Sequence, residues 1–315
     1  MTLDIPHILQ LAPEYRDYVW GGQRLRPGQL TAEAWVIYEQ DRVISDPWAG
    51  YTLAELCSRH GAALLGGRTM QRTGGRFPLL IKLLDCAQWL SLQVHPNDEQ
   101  AIRLEGPGQS GKTEAWHILD AEPEAQIIAG LKPGTTVAAL AQAVRDGSIL
   151  DIAQFLNVGS GDTVFMRAGT VHALGPGLLI YEVQQTSDLT YRLFDWNRPQ
   201  MGGRVLHIEK SLAVADPGIT GQATVCPTLR DGDCQVLCRS DYFTLEILNS
   251  VTKKLESDTQ GEAFHALTVT SGSVRLVAGD EMVTLNSYDS VVIPAGAGSY
   301  RLEPLGGFRA LRSHP

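Results

Sequence analysis

Short apolar or alternating runs, each closed by Gly, Pro, Asp or Asn, recur along almost the whole chain. This pattern limits the fold more than any other feature. A run of about four to eight residues suits a strand, and period-two alternation buries one face. AEAWVIYE, PLLIKLLD, LSLQVHP, EAWHIL, AQIIAGL, DTVFMRAGTVHAL, LLIYEVQQ and LTYRLFDW read this way, and after Asp216 so do CQVLCRS, FTLEILN, AFHALTVTSGSVRLVAG, EMVTLNSYDSVVIPAGAG and SYRLEPL. Turn signals at such short intervals predict a mainly β fold of sandwiches or barrels. Two stretches break the pattern. TLAELCSRHGAALLGG opens with Thr52 and has Glu55 three residues on, a capping-box spacing that predicts a helix over 52–66. TTVAALAQAVRDGSILDIAQFLNV has helical apolar spacing with a break near Gly147, which predicts one or two helices over 135–157.

The chain has 315 residues, enough for about two domains. With 43% apolar and 19% charged residues, it is too apolar to be disordered. The net charge of −9 argues against nucleic acid or an anionic membrane as partner, but leaves room for an anionic small molecule in one locally positive cleft. No basic-then-apolar leader opens the chain, and Lys82 and Asp85 interrupt the most apolar stretch, so neither secretion nor a membrane helix is expected. Cys57, Cys86, Cys226, Cys234 and Cys238 form an odd, scattered set that suits free thiols in a cytoplasmic protein. Cys234 and Cys238 share an even strand offset; small buried side chains are the favoured reading over a metal pair.

A weak internal repeat relates the halves. Residues 161–172 read GDTVFMRAGTVH and residues 288–299 read YDSVVIPAGAGS, matching Asp162 with Asp289, Gly169 with Gly296 and His172 with Ser299. An Asp, an apolar run and Gly-x-x-His resembles the second motif of the cupin barrel. The resemblance implies two cupin-like jelly-roll β-barrels with a small helical insertion. A catalytic metal-binding domain is expected over 1–215. A degenerate second domain without a metal site is expected over 216–315.

Four residues stand out chemically. Gln93 and His95 lie two apart on a strand and so share a face, with Pro96 ending the strand. Lys112 and Glu114 have the same offset, and His172 follows the Ala-Gly turn. Two imidazoles, a carboxylate and an amide oxygen suit a borderline divalent metal such as zinc, with a position open to water or substrate. Spacing alone reads Lys112 and Arg192 as ordinary solvated charges. Asp188 lies four residues before Arg192, an offset that aligns them only if both are on a strand. Lys82 is either an edge residue or a buried functional cation.

The motifs YVWGGQRL, FPLLIKLLD, LSLQVHPND, GKTEAWHIL, AGTVHALGPG and YEVQQTSDLTYRLFDWNR run in order from Tyr18 to Arg198. Together they resemble type I phosphomannose isomerases in their short bacterial form. The resemblance implies one zinc per chain, held by Gln93, His95, Glu114 and His172. It implies active-site roles for Lys112, Arg192 and Asp188, and substrate contacts from Ser91 and Lys82, with Arg198 a further candidate. It implies a zinc-dependent aldose–ketose isomerase that interconverts mannose 6-phosphate and fructose 6-phosphate through an enediol(ate). Longer members carry a His before a Lys-Pro-Glu element; here that position is Gly111, and the Pro is Thr113. No basic role of that His carries over, so Lys112, which would need a depressed pKa, is the first candidate for proton transfer and a metal-bound water the second. Arg192 would stabilise the enediolate. Two rivals are an iron cupin oxygenase, which usually offers His-x-His where this chain has Gln93-x-His95, and a non-catalytic sugar-sensing bicupin. The expected partner is a small sugar phosphate, and nothing in the sequence distinguishes a monomer from a homodimer.

Overall fold

The computed structural model describes residues 5–199, 204–221, 223–225 and 228–315. The chain is mainly β, with strands gathered in three sheets. One sheet has five strands in the order Tyr191–Phe194, Leu92–Val94, His172–Leu174, Gln126–Leu131 and Ala153–Asn157. A seven-stranded sheet runs Ala223–Thr224, Thr163–Met166, Glu114–Ala121, Leu178–Gln185, Leu79–Cys86, Glu33–Ile37 and Glu14–Arg16. An eight-stranded sheet is built on two long strands, His265–Ala278 and Ser299–His314. None of the sheets closes on itself.

The five- and seven-stranded sheets share one core, in which Trp116, Ile118 and Ile180 of one meet Ile127, Ala129 and Leu174 of the other. Each fully buried large side chain there contributes about 1.5–3 kcal/mol. On its other side the five-stranded sheet shares a second core with Leu140 and Ala143 of helix Val137–Asp146. The eight-stranded sheet has its own core, including Leu267, Leu276, Val291 and Leu302.

The chain divides into two compact units, one drawn from 15–34 and 82–226 and the other from the described residues of 1–14, 35–81 and 227–315. The linear division at 215/216 differs from this. The segment containing the predicted 52–66 helix groups with the C-terminal strands. Helix Ala62–Leu65 packs on the 3-10 turn Ala295–Ala297, and Phe77 stacks on Phe264 at 4.5 Å.

The helix at 52–66 is present in pieces. Thr52 caps helix Leu53–His60, its Oγ1 accepting from Glu55 N while Glu55 Oε2 accepts from Thr52 N. Gly61 ends it, and short helices Ala62–Leu65 and Gly67–Thr73 follow. The prediction over 135–157 fails in its last third. Gly147 in the left-handed region ends helix Val137–Asp146, a 3-10 turn follows at Ile149–Asp151, and Ala153–Asn157 is a strand. The pentamer AQFLN, with polar Gln154 and Asn157, is too short to carry a period of its own, and pairing with Gln126–Leu131 decides it. Helix Asp98–Glu105 went unpredicted although Asn97 and Gln100 form a capping box. No described helix is long and apolar enough to cross a membrane.

The described cysteines Cys57, Cys86, Cys234 and Cys238 are free thiols, and Cys226 lies outside the described residues. A register shift between Val236 and Cys238 breaks the alternation that would have put Cys234 and Cys238 on one face.

Candidate active site

The strand Leu92–Val94 lies between Tyr191–Phe194 and His172–Leu174. Its register sets Gln93 opposite both His172 and Arg192. Antiparallel pairing therefore brings three distant segments to one point. In the seven-stranded sheet, Glu114 opens the strand Glu114–Ala121, between Met166 and Gln184.

His95, Glu114 and His172 offer ligand atoms within 4.8 Å of one another, all buried. Glu114 Oε1 is 3.3 Å from His172 Nε2, and Oε2 is 3.6 Å from His95 Nε2. Both rings are oriented from behind. His95 Nδ1–H donates to the Leu189 carbonyl and His172 Nδ1–H to the Thr170 carbonyl, each at 2.8 Å. A carbonyl only accepts, so in the neutral rings both Nε2 lone pairs face the centre. Burial first, then Lys112, pushes His95 well below the ordinary imidazole range. Burial holds His172 down to about 4, so both rings are neutral near pH 7. Burial also lifts Glu114 to about 7, with Lys112 opposing it. Gln93 Nε2 lies 3.3 Å from His172 Nε2, and half a turn of its amide would present the oxygen instead.

Two inward lone pairs and a carboxylate that burial makes costly to ionise form a donor set suited to a cation. These residues fit a divalent metal. In the structure the Lys112 ammonium supplies the positive charge, 2.9 Å from Glu114 Oε2 and 3.2 Å from His95 Nε2.

Beside this centre opens a cleft lined by Ser91, Gln93, Lys82, Lys112, Asp188 and Arg192. Lys112 is 4% exposed, which overturns the solvated reading for it. Lys82 is 5% exposed and interior, not an edge residue; its Nζ lies 3.5 Å from both Glu33 Oε2 and Glu182 Oε1. Burial opposes its charge, but Glu33 and Glu182 outweigh burial and raise its pKa. Asp188 lies on a loop, so the strand offset to Arg192 does not apply, yet both reach the cleft.

Arg198 is not among the cleft-lining residues. It pairs with Asp195 at 3.1 Å and donates to the Trp89 carbonyl at 2.7 Å. Arg204 lines the cleft instead, held by two bonds to Asp195 of 2.5 and 2.8 Å. Sequence reasoning missed Arg204, and also Glu33 and Glu182, which reach the cleft only through strand pairing. Glu182 Oε2 accepts from Trp116 Nε1 at 2.9 Å. Burial would raise its pKa, but Lys112 and Lys82 lower it, so it is a carboxylate.

Residues 8–117 match the model of the type I phosphomannose isomerase catalytic domain. Mannose-6-phosphate isomerase ManA of Bacillus subtilis is 35% identical over 306 residues, covering 92% of this chain and 94% of that one. The chain belongs to the type I phosphomannose isomerase family. It is an enzyme of that family. Mannose-6-phosphate isomerase of Streptococcus mutans is 32% identical, covering 97% of this chain and 98% of that one. The crystal structure of mannose 6-phosphate isomerase from Bacillus subtilis superposes with a TM-score of 0.86 at 30% identity, covering 98% of this chain and all of that one.

The departure at Gly111 has a steric cause. A Cβ there would sit 2.6 Å from Asn97 C and Asp98 N, inside the backbone of the Asn97-capped helix. Gly111 N donates to Asp98 Oδ1 at 2.7 Å, and Lys112 N to the Pro96 carbonyl at 2.9 Å. No histidine fits at 111 with this backbone, and the close approach sets Lys112 beside His95.

Proposed function

We propose that the protein interconverts mannose 6-phosphate and fructose 6-phosphate, with a zinc ion held by Gln93, His95, Glu114 and His172. The observation that carries this is the convergence of two backbone-oriented Nε2 lone pairs on Glu114 at the wall of a cation-lined cleft, in a chain of this family. Bound there, the metal would act as a Lewis acid that orients and polarises the sugar oxygens. Everything else is assigned to the chain itself. Lys82, Lys112, Arg192 and Arg204 set four cations against Glu33, Glu182 and Asp188 along the cleft, and Ser91 adds a hydroxyl; these cations and the hydroxyl suit a phosphate dianion and fix C1 and C2 by remote contact. Arg192 stabilises charge on an enediol(ate) as a fixed cation.

The proton moved between C1 and C2 needs a group that can take it up and return it. Lys112 is the first candidate because it is buried and touches two of the proposed ligands. Glu182 is a second, being a carboxylate on the same cleft. Arg198 acts through Asp195, which it shares with Arg204. We read the two units as cupin-like, the second without a metal site, and the setting as cytoplasmic. The first ligand position is an amide and not an imidazole, which favours isomerase over iron oxygenase chemistry.

The test is isomerisation in D2O. The proposal expects solvent deuterium at C2 of recovered mannose 6-phosphate. Turnover with no solvent label at any substrate concentration would point to direct hydride shift and remove the enediol(ate).

A further inference from the structure

The C-terminal unit holds a cavity of about 410 Å³, within the ~300–1,000 Å³ common for small-molecule sites. Strand registers place it in the fold. In the first unit Met166 faces Glu114, Glu182 faces Trp116, and His172 faces Gln93. In the second, Ile293 faces His265, Arg312 faces Leu267, and Ser299 faces Asp258. The repeat aligns Met166 with Ile293, so the two ladders correspond in register at these pairs.

His265 thus stands where Glu114 stands, Ser299 where His172 stands, and Asp258 where Gln93 stands. Counting two along the chain puts Gln260 at the place of His95 and Ala263 at the place of Lys112. A side-chain pair checks this register. His117 Nδ1 bonds Thr163 Oγ1 at 2.9 Å, and the equivalent Thr268 bonds Ser290 Oγ at 2.9 Å. Both repeats also use the same turn: Asp162 accepts from Gly159 N and Asp289 from Asn286 N, each at 2.8 Å. Asp258, Gln260, Ala263 and His265 all line the cavity. It is the counterpart of the catalytic centre, with the metal donors and the lysine replaced.

We propose that this cavity is a second small-molecule site, one that binds a phosphorylated hexose without reacting it. The ligand class rests on the reading of the first site as a hexose-phosphate site. The replacements change the chemistry without filling the space. Arg312 replaces the carboxylate of Glu182, and a buried network holds it. Its Nε donates to Glu246 at 2.6 Å, and its Nη1 donates to Ser257 Oγ at 2.5 Å and to Tyr300 OH at 3.0 Å.

Because the Tyr300 oxygen already accepts from Arg312, we assign its proton to His265 Nδ1, 2.8 Å away. Burial, then Arg312 and His314, hold His265 down to about 3, so the ring is neutral and carries its proton on Nε2. Nε2 has no partner among the described residues. The network therefore presents one fixed N–H donor to the cavity. Arg68 lines the same cavity, also without a partner among the described residues, and suits a phosphate. Glu262 and Asp258 supply acceptors for hydroxyls. Beside the cavity the chain packs closely on the Glu262 segment: a Cβ at Gly66 (φ +83°) would collide with the Glu262 carbonyl.

Equilibrium dialysis of the zinc-loaded enzyme against radiolabelled mannose 6-phosphate, at isomer equilibrium, tests this. Two ligands per chain are expected. Arg68→Ala should weaken one binding event by about tenfold or more, the worth of a charge-assisted contact, while kcat stays within about twofold. His265→Phe should do the same. Arg68 is exposed, so its variant reports even if His265→Phe misfolds. One ligand per chain in wild-type enzyme that turns over mannose 6-phosphate, or two of unchanged affinity in Arg68→Ala, overturns the proposal. Failure of the first-site reading is separable, because it is read as loss of isomerase turnover and not as stoichiometry.

Discussion

Replacing Lys82 with Met keeps the length of the side chain and removes its charge. Lys82 Nζ stands 3.5 Å from each of two carboxylates, Glu33 and Glu182, whose side chains are 10% and 5% exposed. Breaking a buried ion pair from one side costs about 3–5 kcal/mol, because the remaining charge stays buried. Here two carboxylates lose the same cation, but Glu182 keeps the Trp116 hydrogen bond and the field of Lys112. We therefore expect about 3 kcal/mol, the lower end of that range.

The penalty carries a pH signature. With Lys82 present, Glu182 has a lowered pKa, so it contributes stability above the unfolded carboxylate value of roughly 4.3 that is lost as pH falls. Without Lys82 one of the two cations that offset burial is gone, so the folded pKa rises from its lowered value. The deficit then grows as pH rises through that new value. The deficit of Lys82→Met should be larger at pH 8 than at pH 5. Urea unfolding followed by tryptophan fluorescence measures it, with Trp116 bonded to Glu182 as reporter. Adding Glu182→Gln should recover part of the loss. A Lys82→Met midpoint within about 0.5 kcal/mol of wild type at both pH values would refute the buried-triad reasoning.

Other substitutions test the site and the second unit. Lys112→Ala should lower kcat by about a hundredfold or more while metal content by mass spectrometry is unchanged; normal turnover would remove Lys112 from the chemistry. Gly111→Ala forces a Cβ against the Asn97–Asp98 backbone and should cost about 1–3 kcal/mol together with a drop in kcat, and a fully stable, fully active variant contradicts the packing. Glu246, held down to about 2 against burial by His314 and Arg312, contributes stability that is present above pH 4–5 and lost as pH falls. Glu246→Gln should therefore lower the thermal midpoint at pH 7 and converge on wild type towards pH 3; a constant gap would count against this.

The offsets of two between Gln93 and His95, and between Lys112 and Glu114, could be read in sequence because each pair straddles the end of a strand, Leu92–Val94 or Glu114–Ala121. The capping box at Thr52 was legible for the same local reason. Lys82 could be flagged as odd within its apolar run, but not paired. Its partners Glu33 and Glu182 come from segments about 50 and 100 residues away, and only pairing into one sheet joins them. Arg204 shows the reverse problem. Arg198 and Arg204 look alike in sequence, and tertiary packing onto Asp195 and Trp89 decides which one reaches the cleft. The same limit hid the counterpart of the catalytic centre. The repeat covers only 161–172 and 288–299, whereas Glu114 and His265 correspond through the strands that pair with it. Ala153–Asn157 was misread because an isolated pentamer of mixed polarity shows no decisive period until Gln126–Leu131 lies beside it.

The central claim is that Gln93, His95, Glu114 and His172 hold one metal ion on which isomerisation depends. Elemental mass spectrometry on the purified protein, paired with a coupled mannose 6-phosphate assay before and after chelation, tests it most directly. One zinc per chain is expected, with activity lost on chelation and restored by stoichiometric Zn²⁺, and His172→Ala should lose both metal and turnover. Full turnover in metal-free wild-type protein, or in a metal-free His172→Ala variant, would contradict the account.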